Sequence, residues 1–212
     1  MQSIPLWGET LRLLVELAAT AAFALSGILE GARKRLDAVG VCAVGFLAAF
    51  GGGTLRDLLL DSRPFFWVRH VEMLWGVLAL CVLAMLFLRS RHVHVTERAM
   101  QWPDALGLGL FVATGTHQAL VQDLPALVAV LMGLVTGVAG GVLRDVVCND
   151  IPTAFHDHRP YAICAFAGGW VYVGLWTLHT PGWVSLTACV VVTAGLRGLA
   201  LWRDWRLPEW RF

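Results

Sequence analysis

Gly51-Gly52-Gly53-Thr54-Leu55-Arg56-Asp57 returns as Ala139-Gly140-Gly141-Val142-Leu143-Arg144-Asp145, 88 residues further along the chain. The same offset, without a gap, pairs Phe23 with Phe111, Ser26 with Thr114, Gly27 with Gly115, Gly45 with Gly133 and Pro64 with Pro152. One match of this kind arises by chance. A run of them at constant offset is a duplication.

Around the two motifs the chain is divided into long apolar blocks. Seven runs have the length needed to cross a bilayer: Leu13–Leu29, Ala38–Leu55, Val71–Leu88, Ala105–Val121, Leu124–Leu143, Tyr161–Leu178 and Trp183–Leu201. Three fall in each copy of the duplication, at about 13–88 and 104–178, and the seventh at about 183–201 has no counterpart. Because three is odd, the second copy enters the membrane from the opposite side to the first. The predicted fold is therefore an all-α membrane protein, a single transmembrane domain over residues 1–212. Its seven transmembrane helices form two inverted three-helix repeats plus a seventh helix. Inverted repeats recur in transport proteins, with the binding or permeation site near the midplane.

Composition supports the membrane assignment. Hydrophobic residues make up 58% of the chain, charged residues only 15%, and mean hydropathy is +0.68, against about a quarter charged in an ordinary soluble domain. A net charge of +1 gives no indication of nucleic acid. Lys and Arg are unevenly shared between the two sets of connections, twelve against four. The richer set faces the cytoplasm by the positive-inside rule, placing the N-terminus outside and the C-terminus inside. Of ten Trp, most lie near block ends, suited to the headgroup level, whereas Trp75, Trp170 and Trp176 lie inside blocks and read as packing residues. The five Cys lack CxxC spacing and are odd in number, so they read as buried, inert thiols. Before the first apolar block there is no basic region of a cleaved leader, and that block reads as a retained span.

Consecutive glycines weaken a helix, and a helix broken in lipid must turn its freed backbone groups toward protein or a water-filled cavity. The first half-helix would end in free carbonyls suited to a cation; the second would begin in free N–H groups suited to an anion. Thr54 and Asp57 have the spacing of a capping box, with Thr54 at N-cap and Asp57 three residues on. The protein's own carboxylate would then occupy the anion-binding end, leaving the carbonyls for a cation. Val142 replaces the threonine in the second copy, so Asp145 keeps only half of that cap.

Arg56 and Arg144 lie about 6 Å beyond the central glycines at helical rise. Neighbouring residues on a helix do not face one another, so partners for these arginines are sought in Asp145, Asp57 or other helices. Their role divides between orientation and structural pairing on one side and gating or voltage sensing on the other. The ridges Gly45, Ala49, Gly53 and Gly133, Gly137, Gly141 fit close helix contact better than a pore wall. Ser26 and Thr114 either offer hydroxyls to an ion or bond their own backbone, the second being favoured. His156-Asp157-His158 has no third ligand at zinc spacing and reads as a solvated loop. No tightly bound metal, cofactor, nucleophile–base pair or phosphate loop is expected.

The duplicated G-G-x-L-R-D motif, the three-plus-three-plus-one layout and the length resemble the prokaryotic trimeric intracellular cation (TRIC) channels, a bacterial family also described as carrying a glycine-transporter domain. The resemblance implies a homotrimer in the bacterial inner (plasma) membrane, in contact with membrane lipids. It implies a pore in each protomer, kinked at the glycines of the second and fifth helices, and passive permeation of monovalent cations, chiefly K⁺ with Na⁺ beside it. By position, the pathway would comprise Gly51, Gly52, Gly53, Thr54, Arg56 and Asp57, then Gly140, Gly141, Arg144 and Asp145. K⁺ would rest transiently near Gly51, Gly52, Gly140 and Gly141, and Ser26 and Thr114 are added from their matched places. Two other functions stay in view: a secondary transporter for a small zwitterion such as glycine, and an intramembrane enzyme, which lacks a recognisable catalytic set.

Overall fold

A computed structural model describes residues 6–91, 97–156 and 158–208. Among these the chain is all-helical. The long elements are α1 (Leu6–Arg33), α2 (Ala38–Leu59), α4 (Val71–Arg91), α5 (Glu97–Val121), α6 (Ala126–Val147), α8 (Ala162–Thr177) and α9 (Gly182–Arg203). The four-residue helices α3 (Phe66–Arg69) and α7 (Thr153–His156) follow α2 and α6. Four helices are long and apolar enough to cross a membrane: residues 10–33 of α1, then α2, α6 and α9. Residues 71–87 of α4 and all of α8 form shorter apolar helices. These are the features of a multi-pass membrane protein.

Helix ends repeat at the 88-residue offset, and their chemistry is local. Asp37 caps α2 by accepting from the Gly40 amide at 2.7 Å. Asp61 and Asn149 take left-handed backbone angles just past α2 and α6. There the Ser62 and Asp150 amides bond back to the Asp57 and Asp145 carbonyls, closing orphan acceptors at each helix end. Arg35 and Asp123 do the same after α1 and α5, with Leu36 bonding Gly31 and Leu124 bonding Ala119.

The core is built from α1, α2, α5 and α6, with α4 on one flank and α8 and α9 on the other. Small residues let these helices touch by backbone. A Cβ on Gly27 would lie 2.8 Å from the Val44 carbonyl oxygen, and one on Gly115 would lie 2.9 Å from that of Met132. The glycine ridges are thus helix contacts: Gly45 faces Ile28, Gly133 faces Thr116 and Val112, and Gly137 faces Val112 and Leu108. The outer surface is apolar. Trp75 is 69% exposed on α4 and Trp170 41% exposed on α8, which corrects their reading as packing residues: in lipid an indole need not be buried by protein. All five cysteines are free, four of them buried and Cys42 half-buried.

Candidate functional site

The duplicated motif does not break its helices. α2 runs from Ala38 to Leu59 and α6 from Ala126 to Val147, straight through both glycine clusters. The carbonyls of residues 51–53 and 139–141 therefore lie within helical ladders rather than at free half-helix ends, which corrects the expectation of cation-binding termini there. The physical reason is packing. A Cβ on Gly52 would fall on the Thr136 carbonyl oxygen, and one on Gly140 on that of Ala48, so these glycines serve a close crossing of α2 and α6. Gly51 meets the Leu143 side chain. Gly53 makes room for the Phe66 ring, and a Cβ on Gly141 would sit 3.4 Å from the Tyr161 hydroxyl.

Thr54 is not an N-cap either. Its hydroxyl donates to the Phe50 carbonyl at 2.7 Å and accepts from the Trp67 indole at 2.9 Å. Asp57 does cap an orphan amide, but of the next helix: its Oδ2 accepts from Phe66 N, the first residue of α3, at 2.7 Å. Asp145 accepts from Thr153 N and Oγ1, at 2.8 and 3.0 Å, at the start of α7. The two carboxylates hold down the short helices that follow α2 and α6.

Each arginine sits in a buried cluster with two carboxylates. Arg56 Nε donates to Asp57 Oδ1 at 2.9 Å, and its Nη1 lies 3.3 Å from Glu16 Oε1 on α1. Its Nη2 is 2.8 Å from Asp57 Oδ1 as an ion pair, without the alignment of a hydrogen bond, and the guanidinium rests over the Phe66 ring at 5.2 Å. Arg144 Nε donates to Asp145 Oδ1 at 2.8 Å, while its Nη1 reaches Asp104 Oδ1 on α5 at 2.6 Å and Ser26 Oγ. Tyr161 donates its hydroxyl to Asp104 Oδ2 at 2.7 Å, and Arg197 stacks on the Tyr161 ring at 4.9 Å. Adjacent residues do pair here, against expectation, because a long guanidinium can fold back along the helix to the next carboxylate.

Ser26 belongs to the second cluster rather than to its own backbone, while Thr114 turns to the Phe111 carbonyl at 3.2 Å as expected. Burial of the ion pairs is near complete: Arg56, Asp57, Arg144, Asp145, Glu16 and Asp104 are all 4% exposed or less. Such charges survive in an apolar interior only when paired and hydrogen-bonded. Glu16 and Asp104 were absent from the sequence reading. They are 88 residues apart, a match of charge of the same kind as the hydroxyl match of Ser26 with Thr114, and comparing charges at that offset finds them.

A small cavity of about 20 Å³, room for about one water molecule, opens beside the first cluster. Arg12, Glu16, Arg56, Asp57, Arg69 and Gln118 contribute to its wall. Among the described residues no group of three His, Cys, Asp or Glu is placed to hold a metal; Asp157, centre of the His156-Asp157-His158 cluster, lies outside them.

Comparison with known proteins gives the same picture from several directions. A family model described as glycine transporter matches the chain twice, at residues 13–89 and 101–177. An inner membrane protein of Escherichia coli, UPF0126 YadS, is 34% identical over 199 residues, 92% of this chain and 93% of that one. A UPF0126 membrane protein of Vibrio cholerae is 37% identical over 175 residues, 82% of this chain and 71% of that one. Among solved structures, the TRIC trimeric intracellular cation channel orthologue from Rhodobacter sphaeroides superposes with a TM-score of 0.84 at 30% identity, covering 92% of this chain and 99% of that one.

Proposed function

The chain belongs to the glycine transporter family, in which the TRIC channels fall, and from that premise we propose that it is a cation channel with an ion pathway in each protomer. The pathway runs between α1, α2, α5 and α6, past the two arginine–carboxylate clusters. One observation carries this reading: each buried cluster sets two carboxylates against one guanidinium, Glu16 and Asp57 against Arg56, Asp104 and Asp145 against Arg144. Each is formally one negative charge in excess, which favours a passing cation over an anion. Buried charge inside spans is costly and marks ion pathways.

The finer parts of the proposal follow from the family. The permeant ion is K⁺, with Na⁺ beside it, and the assembly is a homotrimer embedded in lipids of the bacterial inner membrane. The fold is one transmembrane domain of seven spans, two inverted repeats at about 13–88 and 104–178 with a last helix at about 183–201. The two separate matches of the family model and the reciprocal Gly52–Thr136 and Gly140–Ala48 contacts support this arrangement. The N-terminus lies outside and the C-terminus in the cytoplasm. Gly51, Gly52, Gly53, Gly140 and Gly141 form the constriction at the helix crossing, flanked by Thr54 and Asp57 on one side, Asp145 on the other, and Ser26 and Thr114. Arg56 and Arg144 occupy the pathway between conducting events.

Purified protein in a planar bilayer under a KCl gradient tests this. Discrete unitary currents reversing toward the K⁺ equilibrium potential are expected. Saturable glycine uptake without such currents would replace the channel with a transporter. Turnover of a substrate abolished by Asp57→Asn would point to an enzyme.

A further inference from the structure

The two arginine clusters differ in how firmly the rest of the chain grips them. Asp104 uses both oxygens: Oδ1 accepts from Arg144 Nη1 at 2.6 Å and Oδ2 from the Tyr161 hydroxyl at 2.7 Å. The Tyr161 ring in turn carries the Arg197 guanidinium at 4.9 Å. Arg197 belongs to α9, the helix outside both repeats, and is 2% exposed. Its Nη1 also donates to the Pro160 and Arg159 carbonyls, at 3.3 and 3.4 Å. Just beyond α9, Asp204 Oδ1 accepts from Arg159 Nε and Nη2 at 2.8 and 2.6 Å. The Leu207 amide donates to the His158 carbonyl at 2.6 Å. One helix and its tail therefore hold each of residues 158–161, and Tyr161 holds the carboxylate that pairs with Arg144.

The first cluster has no such grip. The positions 88 residues earlier are His70, Val71, Glu72 and Met73. Met73 is buried but has no donor to offer Glu16, and His70 Nδ1 is spent on Glu72 at 3.0 Å. Glu16 takes one 3.3 Å contact, from Arg56 Nη1, among the described residues. Arg56 Nη2 is buried without a hydrogen bond, and the Phe66 ring at 5.2 Å imposes no hydrogen-bond geometry on the guanidinium.

These differences decide what must break for each arginine to move. Each keeps the neighbouring carboxylate of its own helix, Asp57 or Asp145, so the contrast lies with Glu16 and Asp104. Arg56 parts from Glu16 at the loss of one long contact. Asp104 cannot follow Arg144 unless the Tyr161 hydroxyl lets go, and that ring is pinned by Arg197. A hydrogen bond to a buried carboxylate is among the stronger ones. With two barriers in series, the firmer one sets how often the pathway opens.

We propose that α9 is the lock of the pathway: Arg197, through Tyr161 and Asp104, holds Arg144 in the closed arrangement, so release of the second cluster sets the frequency of opening. Arg197 and Tyr161 are positioning residues, acting on the pathway through Asp104. This rests on the channel reading above.

Single-channel recording of the full-length protein in planar bilayers tests the lock. Tyr161→Phe keeps the ring and removes the donor, and the mean closed time is expected to shorten about tenfold, the worth of one hydrogen bond to a charged acceptor. Arg197→Met leaves that donor but removes the stack, and a shortening of at least about threefold is expected. Met73→Leu, at the position of the first half equivalent to Tyr161, is expected to leave the closed time within about twofold. A readout without current uses Cys148, a free buried thiol whose amide donates to the Arg144 carbonyl at 3.0 Å. Its alkylation by N-ethylmaleimide, mapped by peptide mass spectrometry, is expected to speed up in Tyr161→Phe and Arg197→Met and not in Met73→Leu. Cys189, 0% exposed on α9, reports global unfolding and is expected to stay slow throughout. Unchanged closed times in folded Tyr161→Phe and Arg197→Met, or an equal shortening by Met73→Leu, overturn the lock. A lower melting temperature without faster opening makes Tyr161 structural only and overturns it likewise. Absence of cation current from the wild type overturns the channel reading instead, and Cys148 labelling then decides by itself whether α9 holds the cluster.

Discussion

Gly52 and Gly140 meet where α2 crosses α6, each against the other's backbone: a Cβ on Gly52 would lie 3.4 Å from the Gly140 amide nitrogen, and one on Gly140 would lie 3.7 Å from that of Gly52. Equivalent residues of the two halves therefore touch, and the carbonyls of Thr136 and Ala48 occupy the space where their side chains would be. Backbone cannot swing aside as a side chain does. Gly52→Ala and Gly140→Ala are each expected to cost at least about 1–3 kcal/mol through overpacking. Gly174→Ala, which meets nothing within 4 Å, is expected to be neutral or to stabilise by up to about 1 kcal/mol. A thiol-reactive dye reports the melt, because Cys81, Cys148, Cys164 and Cys189 are free and buried. Equal melting temperatures for Gly52→Ala and Gly174→Ala would contradict the crossing.

Asp57 neutralises Arg56 and holds the first amide of α3. Asp57→Ala leaves Arg56 with Glu16 alone, so the cluster goes from a formal −1 to zero. Weaker cation preference is expected, read as a reversal potential displaced toward chloride in a folded mutant. An unchanged reversal potential would remove the excess carboxylate as the basis of selectivity.

Tyr161→Phe keeps the ring on which Arg197 stacks and removes the hydroxyl that donates to Asp104 Oδ2 at 2.7 Å. Leaving a buried carboxylate oxygen without its donor is expected to cost about 1–3 kcal/mol. Thermal melts of the two proteins in the same detergent measure it. A loss under a few tenths of a kcal/mol would mean that water or another donor already serves Asp104.

The loops after α1 and α6, and those after α5 and α2, are joined by equivalent contacts of unlike chemistry. Lys34 Nζ pairs with Asp150 Oδ1 at 2.6 Å, whereas 88 residues away in each sense Gln122 Nε2 donates to Ser62 Oγ at 3.1 Å. Both charged residues of the first contact are about one-third exposed, so its worth is under about 1 kcal/mol and screened by salt. Raising KCl from 50 to 500 mM is expected to lower wild-type stability slightly. The double variant Lys34→Gln with Asp150→Ser, which copies the neutral contact, is expected to lose that dependence. Identical salt curves for the two would show the ion pair contributes nothing.

The helices were legible from sequence because their cause is local and periodic. Runs of apolar residues marked the seven long helices among the described residues, and α2, α4, α8 and α9 begin within a residue of the run that announced them. The short helices α3 and α7 left no such trace, since four residues carry no period. The motif itself was found but misread. Three consecutive glycines weaken an isolated helix, and only the proximity of Thr136 and Ala48 shows that their smallness serves contact between helices rather than a break within one.

The sequence alone determined the membrane-spanning helical character, the duplication and the two arginines that had to find carboxylates. Tertiary structure decided which carboxylates: Glu16 and Asp104 lie 40 residues from their arginines and share with them only the folded interior. It also made the clusters unequal, because Tyr161 and Ser26 surround Asp104 where Met73 and Thr114 stand at the equivalent positions for Glu16. Hydropathy is a property of each residue in its own stretch of chain. The satisfaction of a buried charge depends on donors brought from other helices, and no local pattern records it.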